Sequence, residues 1–179
     1  AKIGGLVKIA LYAFDGITMF HLAAPLMVFG EVTRLGLASD WKTQLWSDQA
    51  GSVRTMEGYT LGDIAGPAAV EWADIVIVPS WPDALPPIGD ALREQLRTAH
   101  RRGAEVAGLC LGAFPITDTG FLEGRAAVTH WTKMADLRER NAQANVDESV
   151  LYIDHGDVMT SAGTASSIDS CLHIVRKHL

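Results

Sequence analysis

Positive charge is scarce in this sequence. Over 179 residues, 15 Lys and Arg stand against 21 Asp and Glu, a formal net charge of -6. Phosphate backbones are held by clustered Lys and Arg, so the chain is not expected to carry a nucleic-acid surface. The local exception, Arg93, Arg97 and Arg101, repeats at i, i+4 and reads as a solvated helix face. Cysteine is scarcer still. Cys110 and Cys171 sit in apolar segments and form no CxxC pair. That argues against a disulfide framework and for a reducing cytoplasm. No charge-free apolar stretch reaches the roughly 20 residues of a membrane helix, and the start of the chain has no signal-peptide core. His100, His155, His173 and His178 lack the spacing of metal ligands, so no metal and no cofactor is expected. Internal repeats and low-complexity linkers are also missing.

What is present is core-forming material. Apolar residues make up 48%, enough for one domain over residues 1–179. Residues 6–11 form a short apolar run typical of a buried strand, closed by the turn Asp15-Gly16. Leu22, Leu26, Phe29 and Val32 then recur at helical spacing up to Gly36. Residues 41–47 alternate as a strand, and 53–61, with Gly58 inside, read as a hairpin. Residues 73–79 are β-branched and continuous, the clearest buried strand. A loop at 80–87 follows with Trp81 and three prolines, then a helix at 88–102 closed by Gly103. A strand at 104–109 runs into Cys110, and a short helix at 111–119 ends at Gly120. Further on lie a strand near 125–129, a polar helix at 132–142, a hairpin at 151–161 and a final helix through Ala165, Ile168, Leu172, Val175 and Leu179. Strands alternating with helices predict a mostly parallel sheet covered on both faces. The final helix has no stop signal and the first residue is not Met, so the natural chain is expected to continue.

Gly108-Leu109-Cys110-Leu111-Gly112 has the spacing of a nucleophile elbow with Cys in place of Ser. A nucleophile on so sharp a turn needs strained backbone angles and small neighbours two residues away. The helix after it would aim its N-terminus at the sulfur and favour thiolate, while backbone N–H groups could receive an oxyanion. The bland alternative is a buried Cys that fills space; Cys171 is read that way. A Cys nucleophile needs a base. The candidates are His130, after a predicted strand, and His21, at the start of the first helix, each otherwise an ordinary helix-end histidine. Phe20, Trp81 and Trp131 fall at the same sheet edge, as pocket wall or as core.

Three stretches resemble the ThiJ/PfpI branch of the class I glutamine amidotransferase-like superfamily. They are residues 108–114 at the elbow, 120–131 ending in Val128-Thr129-His130-Trp131, and 160–175 with Thr160-Ser161-Ala162-Gly163-Thr164-Ala165. More narrowly, the chain looks like the N-terminal domain of AraC-type regulators, in which an amidase-like domain precedes a helix-turn-helix domain. Val78-Pro79-Ser80-Trp81 and Asp154-His155-Gly156-Asp157 fall in the expected order as well. The resemblance implies a flavodoxin-like three-layer α/β/α sandwich. It makes Cys110 and His130 the catalytic pair or its vestige, and it places His21, Trp81, Leu111, Gly112 and Trp131 around a ligand pocket. It departs from the family at two points. No Asp or Glu stands in Met19-Phe20-His21-Leu22, where family members often place an acid beside the cysteine. Leu111 follows the cysteine where the related isocyanide hydratases carry Thr.

The expected role is therefore the dimerisation and ligand-sensing domain of a cytoplasmic AraC-family regulator. It would form a homodimer, take a small-molecule effector, and reach DNA only through a C-terminal domain outside this chain. The alternative is a stand-alone cysteine-dependent hydrolase or hydratase acting on a small molecule.

Overall fold

The computed structural model describes residues 6–38 and 40–179. In chain order its first elements are β1 (Val7–Tyr12), α1 (Met19–Arg34), β2 (Trp41–Trp46), β3 (Gly51–Arg54), β4 (Thr60–Ile64), α2 (Ala68–Trp72) and β5 (Ile75–Val78). Then come α3 (Asp90–Arg101), β6 (Glu105–Gly108), a 3-10 turn at Cys110–Gly112, and α4 (Ala113–Asp118). The rest comprises β7 (Ala126–Ala127), a 3-10 turn at Trp131–Lys133, α5 (Met134–Arg140), β8 (Asn145–Val146), β9 (Tyr152–Asp154), β10 (Val158–Ser161) and α6 (Ser166–His178).

Alternation along the strands decides the layers. Ile9 and Leu11 of β1 and Ile75 and Ile77 of β5 pack on one face, against Leu22, Phe29 and Val32 of α1 and Cys171, Ile174 and Val175 of α6. Ala10, Tyr12, Val76 and Val78 face the other way, onto Val70 of α2, Leu92 and Leu96 of α3, Phe114 of α4 and Leu137 of α5. Strands buried on both faces are what helices on both sides of a parallel sheet require. The fold is a flavodoxin-like three-layer α/β/α sandwich.

The six strands lie in the order β2-β1-β5-β6-β10-β9, all parallel except β9, which pairs antiparallel with β10. Strand order reverses between β1 and β5, because β2 returns to the far side of β1. The loops after β1 and after β5 therefore part at the carboxyl end of the sheet and leave a crevice there, the usual place for a ligand in such folds.

Local chemistry explains where elements stop and where expectation missed. Gly36 and Gly103 close their helices at positive φ, 70° and 96°, as the sequence predicts. The helix expected at 132–142 is split: Lys133 leaves helical geometry at φ -120°, so α5 begins only at Met134. The strand expected near 125–129 pairs only at Ala126–Ala127, against β8, because Thr129 turns its hydroxyl to the elbow instead. Neither α2 nor β8 is predicted by periodicity, since two to five residues carry no period. The arginine row on α3 is taken up locally: Arg93 by Asp90, Arg101 by Glu94, and Arg97 by the Thr119 carbonyl. Among the described residues no helix is long and apolar enough to cross a membrane.

Candidate functional site

Cys110 sits at φ +56°, in the left-handed region that costs an L-residue energy unless the surroundings hold it there. They do so from three separate segments of the chain. The Leu109 N–H donates to the Val78 carbonyl at 2.9 Å. The Thr129 hydroxyl donates to the Cys110 carbonyl at 2.7 Å, and the Cys110 N–H reaches Ser161 Oγ at 3.4 Å. The flanking glycines are steric necessities. A Cβ on Gly112 would lie 1.9 Å from the Val78 carbonyl oxygen, and one on Gly108 would lie 2.5 Å from the Gly112 oxygen. The elbow geometry read from the spacing is thus the geometry observed.

Beside the sulfur lies a cavity of about 230 Å³. Phe14, Gly16, Ile17, Thr18 and His21 line it from the loop after β1 and the start of α1. Ser80, Trp81, Pro82 and Asp83 come from the loop after β5, and Met56 from the hairpin β3–β4. Cys110 and Leu111 form the floor; His130, Thr132, Lys133 and Thr164 close the remaining side. The loop after β5 is firmly held. Trp81 Nε1 donates to the Pro86 carbonyl at 2.8 Å, and Arg140 donates to the carbonyls of Leu85 and Pro86 while paired with Asp118.

Burial dominates the electrostatics of the site. Burial pushes the Cys110 thiol up, and the N–H groups of Leu111 and Thr164 pull it back only in part. The 3-10 turn at Cys110–Gly112 runs directly into α4 behind the sulfur. Burial likewise holds the His21 imidazole below the usual histidine range; nearby His130 adds to this, while Asp83 and Glu57 oppose it. His21 Nδ1 contacts Thr18 Oγ1, but its Nε2 is buried without a hydrogen-bond partner among the described residues. The ring lies at a loosened point of α1, because Pro25 has no N–H for the His21 carbonyl. His130 Nδ1 accepts the Thr132 N–H at 3.2 Å and lies 2.8 Å from the Thr132 hydroxyl, which places the neutral ring's proton on Nε2. A Cβ on Gly163 would fall 2.1 Å from His130 Cδ2, so this ring position also depends on a glycine.

The structure brings Cys110, His130, His21, Trp81 and Leu111 to one cavity. Gly112 packs behind it, against Val78. Trp131 is 77% exposed and lines a separate hollow of about 420 Å³ that shares His130 and Thr164 with the first. Phe20 faces outward, 41% exposed. Sequence reading missed Asp83, Lys133 and Thr164, which are single polar residues in loops. It also missed Thr129 and Ser161 as supports, although both stand inside quoted motifs. Among the described residues no three His, Cys, Asp or Glu side chains gather to share a metal ion.

Comparison with known proteins adds three likenesses and a family match. The family model of the DJ-1/PfpI family matches residues 7–177. An uncharacterized protein of the cpoL 5′ region in Streptomyces lividans is 34% identical over 136 residues, 74% of this chain and 94% of that protein. The HTH-type transcriptional regulator CdhR of Pseudomonas aeruginosa is 27% identical over 135 residues, which cover 75% of this chain but 40% of CdhR. In fold, the chain superposes on an AraC family transcriptional regulator from Pseudomonas putida with a TM-score of 0.80 at 18% identity, over 96% of this chain and 91% of that one.

Proposed function

This chain belongs to the DJ-1/PfpI family, and we propose that it is the N-terminal dimerisation and ligand-sensing domain of a cytoplasmic AraC-family regulator. The observation that carries this reading is the match to CdhR, an HTH-type regulator of which the chain spans well under half. The site supports it. Burial raises the thiol on the cavity floor, and His21, in the stretch where family members often place an acid, has no partner for its Nε2 among the described residues. A raised thiol has a smaller thiolate fraction, which favours recognition over attack. DNA would be contacted by a C-terminal domain outside this chain. The reading is tested by sequencing the frame past the codon for Leu179: a basic helical domain is expected, and a stop codon there removes it.

The dimer rests on α1. That helix carries no Asp, Glu, Lys or Arg before Glu31, and it is apolar on its outer face as well as its inner one. Met19 and Met27 are 40% and 56% exposed. A helix apolar all round is normally covered, here by a second copy. Met27→Glu is expected to leave a monomer in sedimentation where the parent chain is a dimer.

One observation favours the alternative, a stand-alone cysteine-dependent hydrolase or hydratase. The Streptomyces relative is matched over nearly its full length, which leaves it little room for a DNA-binding domain. That reading requires turnover of a small amide, isocyanide or carbonyl compound, abolished by Cys110→Ser.

A further inference from the structure

We propose that the Cys110 cavity takes a small organic carboxylate, held by His21 Nε2 and the basic side of the cavity, with its apolar body against Phe14, Ile17 and Trp81. The inference deepens the sensor reading by naming its ligand class.

Four side chains on the wall can carry charge besides the thiol: His21 from α1, His130 and Lys133 from the turn before α5, and Asp83 from the loop after β5. Glu57 stands nearby, with its carboxylate accepting the Met19 N–H. Three of the four wall groups are basic, and Lys133 forms no ion pair among the described residues. His21 Nε2 is the orphan. A buried polar atom without a partner is costly and rare, and a carboxylate oxygen would supply the missing acceptor for an Nε2–H. His130 accepts at Nδ1, which leaves its Nε2–H free to donate, and His21 donates from Nε2 in the tautomer whose Nδ1 accepts the Thr18 hydroxyl. Burial disfavours a thiolate on the floor, which lessens repulsion of a second anion there. Asp83 favours the charged form of the His21 imidazole. At about 230 Å³ the cavity is below the roughly 300–1,000 Å³ of drug-sized sites, which limits the ligand to a short chain.

The pH dependence follows in sign. Free His21 is held below the usual histidine range and is neutral at pH 7; a bound carboxylate stabilises its charged form. Binding therefore takes up a proton. While the ligand stays ionised, affinity weakens as pH rises, by up to about tenfold per unit above the free histidine's pKa.

The test uses butyrate, butyramide and butylammonium as probes, read by thermal shift and calorimetry at pH 6 and pH 8 at matched ionic strength. Butyrate alone is expected to stabilise the protein, more at pH 6, with proton uptake visible as buffer-dependent heat. His21→Gln keeps the size but removes the titration, and should flatten the pH dependence and weaken binding at pH 6 at least fivefold. Equal stabilisation by butyramide or butylammonium, no stabilisation by butyrate at pH 6, or an unchanged pH profile in His21→Gln would each overturn the proposal. A frame that stops at Leu179 removes the regulator and leaves this site standing; inert butyrate does the reverse.

Discussion

The two ends of the central sheet are built from the same residue types and treat them in opposite ways. At the amino end of β6 and β10, His100 pairs with Asp157 at 2.9 Å, His173 with Asp154 at 2.9 Å, and His178 with Glu105 at 3.2 Å. Arg125 joins Asp157, and Lys177 bridges Asp154 and Glu105. At the carboxyl end His21 Nε2 has no partner, Lys133 has no ion pair among the described residues, and Cys110 is strained. One end uses its polar groups to hold strands to helices. The other leaves them pointed at a cavity and draws its support from the rest of the molecule. An unsatisfied pole opposite a satisfied one locates function without reference to any relative.

Three measurements would break or sharpen that contrast. The largest effect belongs to Gly112→Ala. Its Cβ would overlap the Val78 carbonyl, so β6 and the elbow must part from β5. A loss above about 3 kcal/mol in urea unfolding is expected, and a loss below 1 kcal/mol would mean that the elbow is looser than described. Next is Asp157→Asn at the satisfied end. Burial works against its charge, but hydrogen bonds from His100 and Arg125 prevail and hold this carboxyl down to about 2. Because that lies below the unfolded value, the stabilisation is present above pH 4 and lost as pH falls toward 2. With the side chain 38% exposed, solvent screening leaves about 1 kcal/mol. The parent chain should lose that advantage over the variant on acidification. The smallest effect is the most telling because its sign differs between the poles. His173→Leu should cost about 1 kcal/mol. His21→Leu should be neutral or stabilising by a few tenths of a kcal/mol, since it removes an unpaired buried nitrogen. Equal losses at both ends would dissolve the distinction.

Much of this was legible in the sequence because it rests on local chemistry. Continuous β-branched runs marked β1, β5 and β6, and the Gly-x-Cys-x-Gly spacing implied the positive φ of Cys110. The lack of an acid in Met19-Phe20-His21-Leu22 was also visible, and His21 of that stretch lines the cavity with its Nε2 unpartnered among the described residues. What could not be read is what tertiary packing decides. Asp83 reaches the cavity because its loop is pinned by Arg140, which lies 57 positions on and is itself held by Asp118. Trp131 turns outward although its neighbour His130 turns in, and no periodicity distinguishes the two. Burial of the thiol is hidden for a related reason: a sequence shows the turn after Cys110 but not how deeply it is buried.

The supports of the elbow also carry a consequence for how the chain folds. Val78, Thr129 and Ser161 hold Cys110 from positions up to 51 residues away, so none of this geometry exists until β5, β6 and β10 have assembled. Contacts of such sequence separation form slowly. A chain still emerging from the ribosome carries Cys110 as an ordinary solvent-facing thiol, open to any electrophile, and becomes protected only once β10 has docked.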